Sequence, residues 1–138
     1  MILRRAQIEE MYAHARESKP FECCGLIGGK DDAAQTIYRL RNIARDKCIT
    51  YEAAPEDLFA AQRMLRKRGE KLLGIYHSHP HAADPVPSET DVRLAYYPSA
   101  IYFIVGFAHE GSEGVLCAFR IFENEGRWER VSFRVVES

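Results

Sequence analysis

At 138 residues the chain has the length of one ordinary domain and can bury a core without disulfide or metal staples. Its 19 Lys and Arg against 20 Asp and Glu give a formal charge of −1, which leaves no overall basic excess to draw nucleic acid. No apolar run approaches the roughly 18 residues of a membrane span, and Glu9, Glu10 and Glu17 interrupt the opening segment where a secretory leader would be apolar. A cytoplasmic protein is expected. Cys23, Cys24, Cys48 and Cys117 show no metal-type or redox pairing in their spacing, so reduced, partly buried thiols are predicted.

Residues 4–18 set Ile8, Met11, Tyr12 and Ala15 at helical spacing, and the pattern ends near Ser18-Lys19-Pro20. Cys23–Gly28 reads as a buried strand closing on a turn at Gly28-Gly29. Thr36–Ile43 and Cys48–Glu52 read as two further strands. Pro55, followed by Glu56 and Asp57, has the chemistry of a helix start, and that helix is expected to run to about Gly69. Arg63, Arg66, Lys67, Arg68 and Lys71 then read as its solvated face. Lys71–His77 is strand-like, and the three prolines of residues 80–87 demand an irregular loop. Ser88-Glu89-Thr90-Asp91 has the form of a capping box opening a helix that stops near Pro98. Ile101–Phe107 is an apolar strand, with Val115–Glu123 and Trp128–Val136 as a closing hairpin. The predicted fold class is α/β, a single layered domain over residues 1–138 with a mixed β-sheet and helices packed on it.

The chemistry concentrates in Gly74-Ile75-Tyr76-His77-Ser78-His79-Pro80. Histidines one residue apart on a strand project to the same side, because strand side chains alternate. Pro80 ends the strand, so the imidazoles lie at a strand terminus opening into a loop. Zinc accepts imidazole nitrogen and carboxylate oxygen, and a catalytic zinc keeps three protein ligands and one open position. Asp91, across the proline loop, is the natural third ligand after His77 and His79. Each feature alone has a plainer explanation: Ser88 as a cap, Asp91 as a first-turn acid, the histidines as structural groups. His81 and Asp84, set between Pro80 and Pro85, read as solvent-facing loop residues.

Glu22 followed by Cys23 and the Cys24-Gly25-Leu26-Ile27 run, Gly74 through Pro80, and Pro87-Ser88-Glu89-Thr90-Asp91 together resemble the JAMM (MPN-plus) zinc metalloproteases, closest to the short stand-alone prokaryotic members. The resemblance covers essentially the whole chain. It implies a cytidine-deaminase-like fold, Zn2+ held by His77, His79 and Asp91, Glu22 as the base and acid that handles the attacking water, and Ser88 as an oxyanion helper. It also implies hydrolysis of an amide or isopeptide bond after the C-terminal Gly-Gly of a ubiquitin-like or sulfur-carrier protein. With Glu22 at the start of a strand, that strand is expected to lie beside the His77 strand and so bring the carboxylate within reach. The segment Pro80 to Pro87 is one residue longer than the usual family pattern, a change that loop-closure entropy makes inexpensive. A metal-free binding scaffold is the alternative, disfavoured because every functional position holds a competent residue. A nucleic-acid-associated relative is disfavoured by Ser78, where that branch carries Asn. No nucleic-acid or membrane partner is expected, and a homodimer is left open.

Overall fold

The computed structural model describes residues 1–137. Its strands are β1 (Ile2–Arg4), β2 (Cys24–Lys30), β3 (Ala33–Leu40), β4 (Lys71–His79), β5 (Ile101–Phe107), β6 (Gly114–Phe122), β7 (Arg127–Arg130) and β8 (Arg134–Val136), and its α-helices are α1 (Arg5–Ser18), α2 (Pro55–Arg68) and α3 (Glu89–Arg93). The eight strands form one mixed sheet in the order β7-β6-β5-β4-β2-β3-β1-β8. The two edge strands are separated in the chain only by residues 131–133, so the sheet must curl until its edges approach each other. Val131 N–H bonds to the Ala118 carbonyl near one edge, and Arg134 N–H to the Met1 carbonyl near the other.

The curl encloses α1. Ile8, Met11 and Ala15 pack with Tyr76, Phe103, Val105 and Phe107 in one buried cluster. Burying a large apolar side chain of this kind contributes about 1.5–3 kcal/mol. On the opposite face Ala61 of α2 and Val92 of α3 pack with Leu26, Ile75, Ile104 and Phe119. Helix α2 starts on Pro55 with Glu56 and Asp57 in its first turn, and ends on Gly69 at φ 66°, whose N–H reaches the Leu65 and Arg66 carbonyls. That left-handed stop is glycine's conformation. Arg63, Arg66, Lys67, Arg68 and Lys71 are all exposed, as the solvated-face reading expects. No helix of the described residues is long and apolar enough to cross a membrane.

Several boundaries differ from the sequence-based expectation. The turn after β2 falls at Asp31-Asp32, both at positive φ (51° and 63°), while Gly28-Gly29 lies inside the strand at a register shift. Acidic side chains tolerate that left-handed turn, but Asp-Asp signals it far less than Asp-Gly does. Residues 48–52 form no strand. Asp46 and Asn42 capture the local backbone through turn contacts, leaving an isolated bridge between Asn42 and Ala53. Helix α3 ends at Arg93 rather than near Pro98. Trp128–Val136 divides into β7 and β8 on opposite sheet edges, and β8 pairs in parallel with β1, a strand too short to show a period.

Candidate metal centre

Strand register builds the site. Strands β2 and β4 are antiparallel with Cys24 opposite His77, and β4 and β5 are parallel with His79 opposite Gly106. The two-residue alternation therefore puts Ile75, His77 and His79 on one face of β4, with Cys24 beside them on β2. Glu22, two residues before Cys24, enters from the same side. The strand pairing that the Glu22 expectation required is present.

Ser78, fully buried on the other face, fixes this junction. Its N–H donates to the Cys23 carbonyl at 3.2 Å, and its Oγ accepts from Cys23 N–H at 2.8 Å. The hydroxyl thus occupies a donor that the regular ladder would give to a carbonyl, and β2 begins only at Cys24, with Glu22 outside the ladder.

The fourth residue comes from α3. After His79 the chain turns, with Ala82 N–H on the His79 carbonyl at 3.0 Å, and buried Pro85 settles over Gly106. A Cβ on Gly106 would collide with the Ala82 carbonyl and crowd the Pro85 ring, so the bare backbone there lets the proline loop close down and deliver α3. Ser88 caps that helix reciprocally: its Oγ accepts from Asp91 N–H at 3.0 Å, and its N–H donates to Asp91 Oδ2 at 2.9 Å. The capping box and the site are the same structure.

The side chains converge tightly. His77 Nε2 lies 3.1 Å and His79 Nε2 3.0 Å from Asp91 Oδ2, and the two imidazole nitrogens are 3.2 Å apart. Glu22 offers a carboxylate oxygen within 4.8 Å of both imidazoles. His77, Glu22 and Asp91 are buried, and His79 is half-buried. Among the described residues two buried side-chain polar atoms, Glu22 Oε1 and His77 Nδ1, have no hydrogen-bond partner.

Charge follows from this crowding. Burial, reinforced by the Asp91 charge, raises the Glu22 carboxyl to about 8. Burial alone would raise Asp91 too, but electrostatic attraction to the adjoining His77 and hydrogen bonds from His77, His79 and Ser88 hold it well below the carboxylate range.

These residues fit a first-row divalent cation. Two neutral imidazoles and a carboxylate are the ligand types zinc accepts, and tetrahedral bonds of about 2.0–2.1 Å would set ligand atoms about 3.3 Å apart. The observed separations of 3.0–3.2 Å need little opening. The unpartnered oxygen of Glu22 lies beside the cluster, where a ligand water could satisfy it.

His81 and Asp84 stay outside, both exposed, with Asp84 paired to Arg130 at 3.2 Å. Tyr51 and Asn42 carried no signal in the sequence. Tyr51 stacks on His77 with centroids 4.7 Å apart and planes at 28°. A cavity of about 340 Å³ is lined by Asp91, Tyr51, Leu58, Leu94, Tyr96 and Tyr97 among others, while the two histidines lie outside its lining.

A sheet curled round one helix, with two histidines and two carboxylates gathered at a strand end, defines the metallopeptidase class of α/β domain. The family model described as prokaryotic homologs of the JAB domain matches residues 4–121. The chain is 34% identical over 102 residues to the desampylase of Haloferax volcanii, covering 70% of this chain and 73% of that one. It is 32% identical over 107 residues to the CysO-cysteine peptidase of Mycobacterium tuberculosis, covering 76% and 72%. A solution structure of a protein from Desulfitobacterium hafniense superposes with a TM-score of 0.85 at 33% identity, over 100% of this chain and 94% of that one. The chain belongs to the JAMM (MPN-plus) metalloprotease family, among its prokaryotic members.

Proposed function

We propose that the chain is a zinc-dependent peptidase that hydrolyses the amide bond after the C-terminal Gly-Gly of a ubiquitin-like or sulfur-carrier protein. The observation that carries this reading is the meeting of His77 Nε2, His79 Nε2 and Asp91 Oδ2 within 3.2 Å beside a buried carboxyl oxygen that has no partner among the described residues. His77, His79 and Asp91 would hold the zinc, which when bound supplies Lewis acidity to the scissile carbonyl and acidifies water. Glu22 accepts the proton of the attacking water and returns it to the leaving amine. Its buried carboxylate oxygen beside the two imidazoles is placed to take a proton and then give it back. The Ser88 Oγ uses a lone pair on Asp91 N–H and keeps its own proton to donate to the developing oxyanion.

The apolar cavity that reaches Asp91 supplies a track for an extended carrier tail, whose backbone can approach the centre closely only where it lacks a side chain. Relatives named desampylase and CysO-cysteine peptidase support small-protein conjugates as the substrate class. A metal-free scaffold is the weaker reading: unpartnered buried polar atoms such as Glu22 Oε1 and His77 Nδ1 cost about 1–3 kcal/mol each and would serve no purpose in it.

The test is a pair of carrier–peptide fusions that differ only in the terminal glycine of the carrier, incubated with zinc-loaded protein and read by mass spectrometry. Cleavage directly after Gly-Gly and loss of cleavage with Gly→Val are expected. Equal cutting of the two, or efficient cutting of unrelated unfolded proteins, would mean a general peptidase.

A further inference from the structure

Residues 41–54, between β3 and α2, form one wall of the metal centre, and a single side chain gathers them. Asn42 Nδ2 donates to the Thr50 carbonyl at 3.1 Å and to the Glu22 carbonyl at 2.9 Å. Asn42 Oδ1 accepts from Ala44 N–H at 2.9 Å and from Glu52 N–H at 3.0 Å. The main chain adds Ile43 N–H to the Glu52 carbonyl and Ala54 N–H to the Arg41 carbonyl. All the hydrogen-bonding capacity of this amide is used, and the same group ties the loop to the residue that bears the proposed base.

Tyr51 lies between the two clamped positions, Thr50 and Glu52. The clamp lays its ring flat on the His77 imidazole, and the same ring lines the cavity leading to Asp91. His77 is itself fully buried beneath that ring, and Tyr51 and Asp91 line the same cavity, so a chain lying in the cavity against Asp91 has the Tyr51 ring as a neighbour. Packed interiors resist even one added methylene. A residue with a Cβ would have to displace either the ring or the loop that Asn42 holds.

We infer that Tyr51, held over His77 by the Asn42 clamp, is the specificity-determining residue that restricts the position before the scissile bond to glycine. The inference rests on the carrier-tail reading above and names the side chain that enforces it. Tyr51 selects through shape, so its flat ring matters and its hydroxyl does not. Asn42 is a positioning residue acting through the loop.

The experiment separates this inference from the function itself. Tail peptides ending in Gly-Gly, Gly-Ala and Gly-Val are titrated calorimetrically into metal-free wild-type protein and into Tyr51→Ala, Tyr51→Leu and Tyr51→Phe, and zinc uptake is measured on each. Wild type and Tyr51→Phe should prefer Gly-Gly over Gly-Val by about tenfold or more, the scale of one or more methylenes rejected by a shaped pocket. Tyr51→Ala should bind the three tails within about threefold, and Tyr51→Leu should admit Gly-Ala. All variants should take up zinc.

Undiminished discrimination by folded Tyr51→Ala or Tyr51→Leu would overturn the role of Tyr51 and leave the function standing. Loss of zinc uptake or of folding in both variants would also overturn it, by making the ring a structural support for His77. Failure of zinc-loaded wild type to cut a Gly-Gly fusion would instead defeat the proposed function, whatever the tail-binding results.

Discussion

Tyr76 and His77 are adjacent on β4, yet their side chains enter environments built to opposite standards. Tyr76 goes to the α1 side, fully buried, lying over the bare backbone of its register partner Gly25. Its hydroxyl shares a 2.7 Å hydrogen bond with His14 Nδ1. Ser78, on the same side, is equally well partnered. His77 goes to the other side, also fully buried, but its Nδ1 and the nearby Glu22 Oε1 have no partner. One strand thus carries a satisfied polar core on one face and an unsatisfied cluster on the other. Buried polar groups are normally paired, so the face that breaks the rule is the face to which the proposed chemistry is assigned.

That contrast can be broken by exchanging one residue at a time. The largest effect is expected from Glu22→Gln. Turnover should fall by about 10²–10⁴-fold, the usual contribution of a general base, while zinc content and thermal unfolding stay near wild type. A variant with wild-type rate, or one that had lost its zinc, would make Glu22 a structural residue or a ligand.

A change on the other face should do the reverse. Tyr76→Phe leaves the buried His14 nitrogen without its partner and should cost about 1–3 kcal/mol of stability, measured by denaturant unfolding, with zinc content unaffected. Unchanged stability would mean that water replaces the lost hydroxyl and that the α1 side is less dry than its burial indicates.

The same face should also set a pH slope. Burial, aided by the Arg39 charge, lowers His14 from 6.5 to about 4. The unfolded chain therefore binds the proton more readily than the folded protein between those values. Stability from this group is complete above about 6.5 and is lost as the pH falls through about 4. Replacing His14 with Gln should flatten the acid side of the stability profile in that window. An unaltered slope would place the acid sensitivity elsewhere.

The β4 strand and its neighbours were legible because their signals are local. Period-two alternation placed His77 and His79 together, Pro80 ended the strand, and the chemistry of Ser88 and Asp91 made a capping box that the structure retains. Pro55 with Glu56 and Asp57 started α2 where expected. The missing pieces depend on distant partners. Residues 48–52 carry strand-like side chains, but Asn42 and Asp46 divert their backbone into side-chain contacts. Strands β1 and β8 span Ile2–Arg4 and Arg134–Val136 and exist because the curled sheet brings the chain ends side by side. Tyr51 could not be read as part of the site, since only the Asn42 clamp sets it against His77.

The most direct measurement is metal analysis of the purified protein after zinc is supplied at neutral pH, set beside a variant carrying His77→Ala and His79→Ala. Wild type should hold one zinc per chain. The variant should hold none and still unfold cooperatively, because the core around α1 does not include the ligands. Wild-type protein that takes up no first-row metal, or a double variant that retains its zinc, would contradict the assignment of this strand face as a metal centre.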